Sequence, residues 1–284
     1  MSLLFDWILE PLAYPFMQRA LLAAVVTGVV CAVLSCYLVL KGWSLMGDAI
    51  SHAVLPGIVV AFLLGIPFAV GAFASGVLCA LATGYLKEHS RVKEDTVMGI
   101  VFSGMFALGL VMFARVDSDQ HLSHILFGNV LGIIAQELTQ ILLIAGVTLV
   151  IVMLKRRDLM LYCFDPHHAR VIGLPVKWLH YGLLCLLVMT IVASLQAVGV
   201  ILVIAMLIAP GIVAFMVCKT FDGMLIVATC VSVFSCVTGT LISFYLDSAT
   251  GPCIVLVQAL FFALALTLHQ VRTRRQRTAQ TALS

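Results

Sequence analysis

The chain has 284 residues, of which 63% are hydrophobic and only 10% are charged. Because an ordinary soluble domain carries roughly 25% charged residues, this composition excludes a water-soluble domain built around one buried core. Such an apolar chain needs an apolar solvent, so we expect membrane lipid around it. The net charge of +3 is small, and we expect no nucleic acid as a partner. The sequence therefore predicts an all-α, polytopic membrane helical bundle.

Apolar stretches of about 20 residues recur along the chain, and each is long enough to cross ~30 Å of hydrocarbon. The run Trp178–Cys218 would be about 60 Å long as a single helix, so it must turn back near Ser194–Gly199. This pattern predicts eight or nine transmembrane helices. The predicted spans are Ala20–Leu40, Gly42–Leu64, Phe68–Leu86, Thr96–Ala114, Leu138–Leu154, Trp178–Leu195, Val198–Cys218, Gly223–Leu246 and Gly251–His269.

Basic residues are unequally divided between the two sides of these predicted helices. Of the 16 Lys and Arg, only Arg19 and Arg115 fall on one side. Because cytoplasmic loops carry an excess of Lys and Arg, the basic side, with the C-terminus, is predicted to face the cytoplasm. We expect an interfacial segment over residues 1–15, a transmembrane permease domain over 16–270 and a basic cytoplasmic tail over 271–284.

The segment His121–Gln136 is apolar but only about 15 residues long, which is too short to span a bilayer. We expect a re-entrant or interfacial helix here. His121 and His124 belong to a polar cluster on the outer side, together with Asp117 and Asp119. Hydration, docking of a partner and direct metal binding are all open for this cluster.

Asp48 and His52 are ionisable residues inside a predicted span. They are four residues apart and so share one helix face; a helix beginning near Lys41 would place them roughly 10 Å and ~16 Å along its length. An ionised carboxylate at such depth costs about 2.5–3.5 kcal/mol on insertion scales, which favours a function for the pair. A carboxylate with an imidazole suits manganese, iron or zinc, and the alternative is a hydrogen bond that only joins helices.

Two prolines are predicted to interrupt apolar helices. Pro56 removes the hydrogen-bond donor for the carbonyl of His52, and Pro210 should bend or break its own helix. Interrupted helices in a membrane often line substrate pathways, although an ordinary kink would explain Pro56 and packing alone would explain Pro210. Asp247 ends the penultimate span on the outer side, where it is either a gate or further metal ligand, or a solvated loop acid.

The longest predicted cytoplasmic segment has the features of a short helix. Asp165 can cap a helix that begins at Pro166, and Gly173 can end it. Such a helix could dock another protein, although it is also a common connector. The chain has no G-x-x-x-x-G-K-[ST] phosphate-binding motif. A transporter built on this chain would therefore take its energy from elsewhere. We do not expect the chain itself to be an enzyme.

Several of these segments together resemble the ABC-3 family of metal-importer permeases. They are Gly47–Gly57, Leu126–Gly128, Phe164–Arg170, Gln196–Gly211 and Thr250–Pro252, within a resemblance that runs from about residue 16 to 270. The resemblance implies a core of two permeases, identical or different, in the bacterial inner membrane. It also implies a separate ATPase on each cytoplasmic face and a periplasmic binding protein that delivers the metal.

The same resemblance implies roles for particular residues. Asp48 and His52 match the family's metal site, and 164–174 matches the coupling helix. Its residues expected to contact the ATPase are Phe164, Asp165, Pro166, Ala169, Arg170 and Gly173. The implied activity is import of manganese or iron, with zinc also compatible, by alternating access and without a permanently bound cofactor. A self-sufficient secondary metal carrier is the alternative.

Overall fold

The computed structural model describes residues 10–11, 13–43, 45–92, 94–115 and 132–281. Within these ranges the secondary structure is helical, with no strand. The helices are α1 (Pro15–Lys41), α2 (Met46–Ala53), α3 (Leu55–Leu64), α4 (Phe68–His89), α5 (Glu94–Phe113), α6 (Ala135–Leu154), α7 (Arg156–Phe164), α8 (Pro166–Val171), α9 (Val176–Val198), α10 (Val200–Val217), α11 (Phe221–Leu246) and α12 (Thr250–Thr281).

Nine candidate membrane spans lie in the described part of the chain, with α2 and α3 counted together as one. The prediction of an all-α membrane bundle with eight or nine spans is therefore confirmed. The long apolar run turns back at Gly199, whose φ of 79° ends α9 before α10 begins. That turn lies inside the predicted interval Ser194–Gly199. Residues 121–131 of the predicted re-entrant segment, His121 and His124 among them, lie outside the described residues, and its last two residues begin α6.

Helix α1 forms the centre of the bundle. Of its most apolar window, 72% is buried inside the protein, and it packs on α6, α9, α10 and α11. Small residues allow this close packing: a Cβ on Gly28 would lie 2.7 Å from the Ser232 Oγ of α11. Ser232 also donates a hydrogen bond to the Gly28 carbonyl at 2.9 Å. Close backbone approach and interhelical hydrogen bonds replace the hydrophobic effect, which is weak between helices in lipid.

Helices α2 to α5 form a second group against this centre. Gly57 of α3 and Gly71 of α4 touch backbone to backbone, since a Cβ on either would overlap the carbonyl oxygen of the other. Helix α2 packs on α4 and α5 and also on α9 and α10. It therefore joins the second group to the central one.

The ends of the helices meet on two opposite faces. We call one of them the basic face, because it carries Lys41, Arg156 and Lys219. Here Arg156 at the start of α7 pairs with Asp222 at the start of α11, with 2.7 Å between Nη2 and Oδ1. On the opposite face Tyr14, before α1, lies 6.0 Å ring to ring from Phe244 of α11. These contacts agree with alternating directions of the spans.

The helix that carries Asp48 begins later than predicted. Gly42 adopts a left-handed conformation, with φ of 76°, and ends α1; α2 starts only at Met46. At ~1.5 Å per residue, Asp48 and His52 lie about 3 Å and about 9 Å from the first residue of their helix. The predicted distances of roughly 10 Å and ~16 Å, counted from Lys41, are wrong because the glycine turn takes up the intervening residues.

Candidate metal-transport site

The structure places Asp48 and His52 side by side on α2. The Nε2 atom of His52 lies 3.4 Å from Oδ1 of Asp48, and the two side chains are 28% and 34% exposed. The residues between them, Ala49, Ile50 and Ser51, are buried. The pair is therefore on the one face of α2 that the chain leaves partly open.

Two phenylalanines of α5 cover His52 from one side. The ring of Phe106 meets the imidazole edge to face at 5.1 Å, and the ring of Phe102 lies 6.3 Å away in a stacked orientation. These contacts orient the imidazole beside the carboxylate. An imidazole nitrogen and a carboxylate oxygen held in this way can both ligate a transition metal ion.

The helix carrying the pair ends one residue after His52. Helix α2 stops at Ala53, Val54 intervenes, and α3 begins at Leu55 with Pro56 in its first turn. Ser75 of α4 donates a hydrogen bond of 2.6 Å to the carbonyl oxygen of Ala53. A hydroxyl from a neighbouring helix thus satisfies a backbone group at the interruption, as the hydrocarbon environment requires.

Pro210 lies inside α10, which continues from Val200 to Val217, so the helix does not break at this proline as the sequence allowed. The Gly211 N–H donates to Ser35 Oγ of α1 at 3.0 Å, and Ser35 in turn donates to the Ile208 carbonyl at 3.3 Å. Pro210 is buried. Its segment is close to the acid–histidine helix, since a Cβ on Gly47 would lie 3.0 Å from the Leu207 side chain.

Asp247 takes a position unlike that of the pair. It ends α11 in a left-handed conformation, with φ of 47°, and its side chain is exposed. Among the described residues, no group of three or more His, Cys, Asp or Glu side chains converges as a metal site. The chain as described therefore brings Asp48 and His52 together, and Asp247 does not join them.

The short helix α8 has the local structure that the sequence predicts. The Asp165 carboxylate accepts hydrogen bonds from the His167 and His168 N–H groups at 2.9 and 3.0 Å, and Pro166 opens α8. The His168 N–H, followed by that of His167, lowers the pKa of the Asp165 carboxyl below its ordinary value of 3.8. Gly173, with φ of 84°, reverses the chain after α8.

Around α8 large apolar side chains point outward. Phe164 is 77% exposed, Val171 83% and Ile172 54%, whereas Ala169 is fully buried against the protein. Arg170 is also exposed. Exposed apolar groups beside charged ones, outside the candidate membrane spans, are typical of a protein-binding surface.

Sequence reasoning does not identify Ser35, Ser75, Phe102 or Phe106 as parts of this region. The available signal is weak: a serine in an apolar helix suggests an interhelical hydrogen bond. Spacing along the chain does not reveal which helix receives it.

The fold and the site define a multi-pass membrane protein with a paired acid and histidine on an interrupted helix. The ABC 3 transport family model matches residues 13–269, and the chain belongs to this family. It is 75% identical to the chelated iron transport system membrane protein YfeD of Yersinia pestis over 98% of this chain and 93% of the relative. It is 52% identical to the manganese transport system membrane protein MntB of Synechocystis, over 92% and 85% of the two chains.

A solved structure of PsaBC from Streptococcus pneumoniae in complex with Fab is also similar. The sequence identity is 35% and the TM-score is 0.82, and the match covers 92% of this chain and 95% of that one. Membership in an ABC transport family does not favour the self-sufficient carrier.

Proposed function

We propose that this chain is the membrane-spanning permease of an ATP-driven importer that carries manganese or iron into the cytoplasm, with zinc compatible with the same ligands. The observation that carries this proposal is the Asp48–His52 pair, with Nε2 and Oδ1 3.4 Å apart on one partly open helix face. The named roles of the relatives, in iron and manganese transport, support the same class of cargo.

A second permease would complete the site. Manganese takes about six ligands and favours oxygen donors, whereas the described chain converges only one carboxylate and one imidazole. Both side chains are about one-third exposed, although their positions within a span argue against contact with lipid. A partner copy, or a related permease, would add a second pair and shield both from the bilayer.

The energy would come from a separate ATPase at the basic face, and the excess of Lys and Arg supports a cytoplasmic position for this face. Its docking surface would be α8 and its flanks, from Phe164 to Gly173. Closure of the ATPases would move α8 and, through the bundle, the helices around the metal. A periplasmic binding protein would deliver the ion at the opposite face, where Asp247 ends α11.

The test is uptake of radiolabelled manganese and iron by cells that carry Asp48→Ala or His52→Ala in an otherwise intact transporter. We expect uptake to fall at least tenfold while the amount of the permease in the membrane stays unchanged. Ser103→Ala is the control, because Ser103 is an exposed residue of α5 whose hydroxyl donates a hydrogen bond to the Gly99 carbonyl of its own helix. Normal uptake by either site variant would refute the proposed role.

A further inference from the structure

Four side chains, two of them buried and two half-buried, form a link on the basic face between the predicted ATPase docking helix and the metal site. They are Lys41 at the end of α1, Trp43 after it, Tyr162 of α7 and His180 of α9. Trp43 is 1% exposed and Tyr162 is 2% exposed. Neither the metal ligands nor the docking surface includes any of the four.

The link begins at the docking helix. Helix α8 packs mainly on α7 and, less extensively, on the start of α9. Helix α7 in turn packs on α1 and α9. A displacement of α8 would therefore reach the membrane helices chiefly through α7 and α9, the two helices that carry Tyr162 and His180.

Tyr162 and His180 join these two helices directly. The Tyr162 hydroxyl and His180 Nδ1 are 2.7 Å apart and share a hydrogen bond. The Lys41 Nζ lies 4.2 Å from the centre of the Tyr162 ring, within the range of a cation–π interaction. The same ammonium group is 5.8 Å from the Trp43 ring.

Trp43 carries the link to the metal helix. Its ring meets the edge of His180 at 5.3 Å, and its carbonyl oxygen accepts a hydrogen bond of 3.1 Å from the N–H of Met46, the first residue of α2. Asp48 is two residues farther along that helix. A movement of the His180 ring would thus be passed to the beginning of the helix that holds both candidate metal ligands.

We propose that the Tyr162–His180 hydrogen bond, with Lys41 and Trp43 packed around it, transmits the movement of the docking helix to the Asp48–His52 helix. Tyr162 and His180 are positioning residues and do not contact the metal. This inference rests on the proposed function, because it needs an ATPase that acts on α8. It assigns the mechanical connection to particular atoms rather than to the bundle as a whole.

The test uses the complete transporter, with its ATPase and binding protein, in proteoliposomes, and measures manganese taken up per ATP hydrolysed. Tyr162→Phe removes only the hydroxyl and keeps the ring under Lys41. His180→Phe keeps a ring against Trp43 and removes both ring nitrogens, including the Nδ1 that bonds to Tyr162. For each variant we expect ATP hydrolysis within about twofold of the unaltered protein. The manganese taken up per ATP should fall about fivefold, because losing one ordinary hydrogen bond changes an equilibrium by about this factor.

The double variant should lower the ratio of manganese to ATP no further than either single variant does, because the two substitutions remove the same hydrogen bond. Tyr85→Phe is the matched control: Tyr85 is an exposed residue near the end of α4 whose ring lies 4.2 Å from the His89 ring, at an angle of 30°. The His89 ring bonds to the backbone oxygen of Tyr85, so that contact survives the change. We expect an unchanged ratio of manganese to ATP.

Uptake and hydrolysis that fall together at a constant ratio would mark a merely structural role and overturn the inference. An unchanged ratio in both single variants would overturn it as well. If Tyr162→Phe fails to assemble, His180→Phe decides the question by the same ratio. An unaltered transporter that moves neither manganese nor iron when given ATP would instead refute the proposed function.

Discussion

The backbone N–H of Gly211 donates a hydrogen bond to Oγ of Ser35, 3.0 Å away on another helix. Gly211 follows Pro210 in α10, and a Cβ on Gly211 would collide with Ser35. The small residue and the serine therefore act together: glycine permits the close approach, and the hydroxyl takes the backbone group. Together they allow the proline segment to pack closely against the central helix.

Ser35→Ala should lower the free energy of unfolding by about 1–2 kcal/mol, because it removes the bonds of this hydroxyl to the Gly211 N–H and the Ile208 carbonyl in an apolar interior. Ser35 is 0% exposed, so water cannot replace the hydroxyl. The measurement is thermal unfolding of the purified protein in detergent. Ser103→Ala is the control and should change stability by less than about 0.5 kcal/mol. Equal stability of the two variants would contradict this account of the proline segment.

The spans were predictable because each is a long apolar run bounded by charge, proline or glycine. The turn at Gly199 was predictable too, since no single helix of that length fits the bilayer. The start of α2 was not predictable from the sequence, because Trp43 and Leu45 extend the apolar run across the glycine turn at Gly42. Periodicity alone does not show where such a run changes direction.

The acid–histidine pair was predictable from its spacing, since residues four apart in a helix are always neighbours. Its surroundings were not. Ser35 reaches a carbonyl 173 residues away in sequence, and Phe106 reaches His52 from another helix. Such contacts depend on how the helices pack, and one apolar helix face resembles another in sequence.

The Gly57–Gly71 contact predicts a strong effect of a single methyl group. Gly57→Ala or Gly71→Ala would force α3 and α4 apart, because the new Cβ overlaps backbone that cannot move aside as a side chain would. We expect a loss of about 2 kcal/mol or more, visible as less folded protein in the membrane and a lower unfolding temperature. Gly104→Ala is the matched control, since nothing lies within 4 Å of its added Cβ. If all three variants are equally stable, the close approach of the two backbones does not determine the stability of this helix pair.

Asp165 should protect the first turn of α8 from opening. Asp165→Ala removes the acceptor for the His167 and His168 N–H groups, so we expect faster hydrogen exchange at these two amides and weaker binding of the ATPase. For Asp165→Asn, which keeps one acceptor oxygen, the exchange rates and the ATPase binding should lie between those of Asp165→Ala and those of the unaltered protein. Because the pKa of the carboxyl is lowered from 3.8, its contribution is fully present above that pH and is lost as the pH falls through the lowered value. Protection that disappears already between pH 7 and 5 would contradict the capping role.

Cys163 should be nearly inert to thiol reagents. Burial raises the pKa of its thiol from 9.0 to about 12, and the positive charge of Lys41 acts weakly in the opposite direction. Since the thiolate is the reactive form, a shift of this size lowers its fraction near neutral pH roughly 1000-fold. Maleimide should label a protein whose only cysteine is Cys163 far more slowly than one that keeps only Cys218, which is partly exposed at the end of α10. Comparable rates would mean that α7 does not bury this side chain.

The number of metal ions per transporter tests how the site is completed. If two permeases share one ion, the purified assembly should bind one manganese per permease pair, measured by equilibrium dialysis and metal analysis. Asp48→Asn keeps the volume of the side chain but removes its charge, so we expect affinity for manganese to fall at least tenfold. Because imidazole and carboxylate ligands favour zinc over manganese in intrinsic affinity, zinc should displace the bound manganese. Two ions per pair, each lost independently in a mixed assembly of normal and Asp48→Asn permeases, would show that each chain binds metal alone.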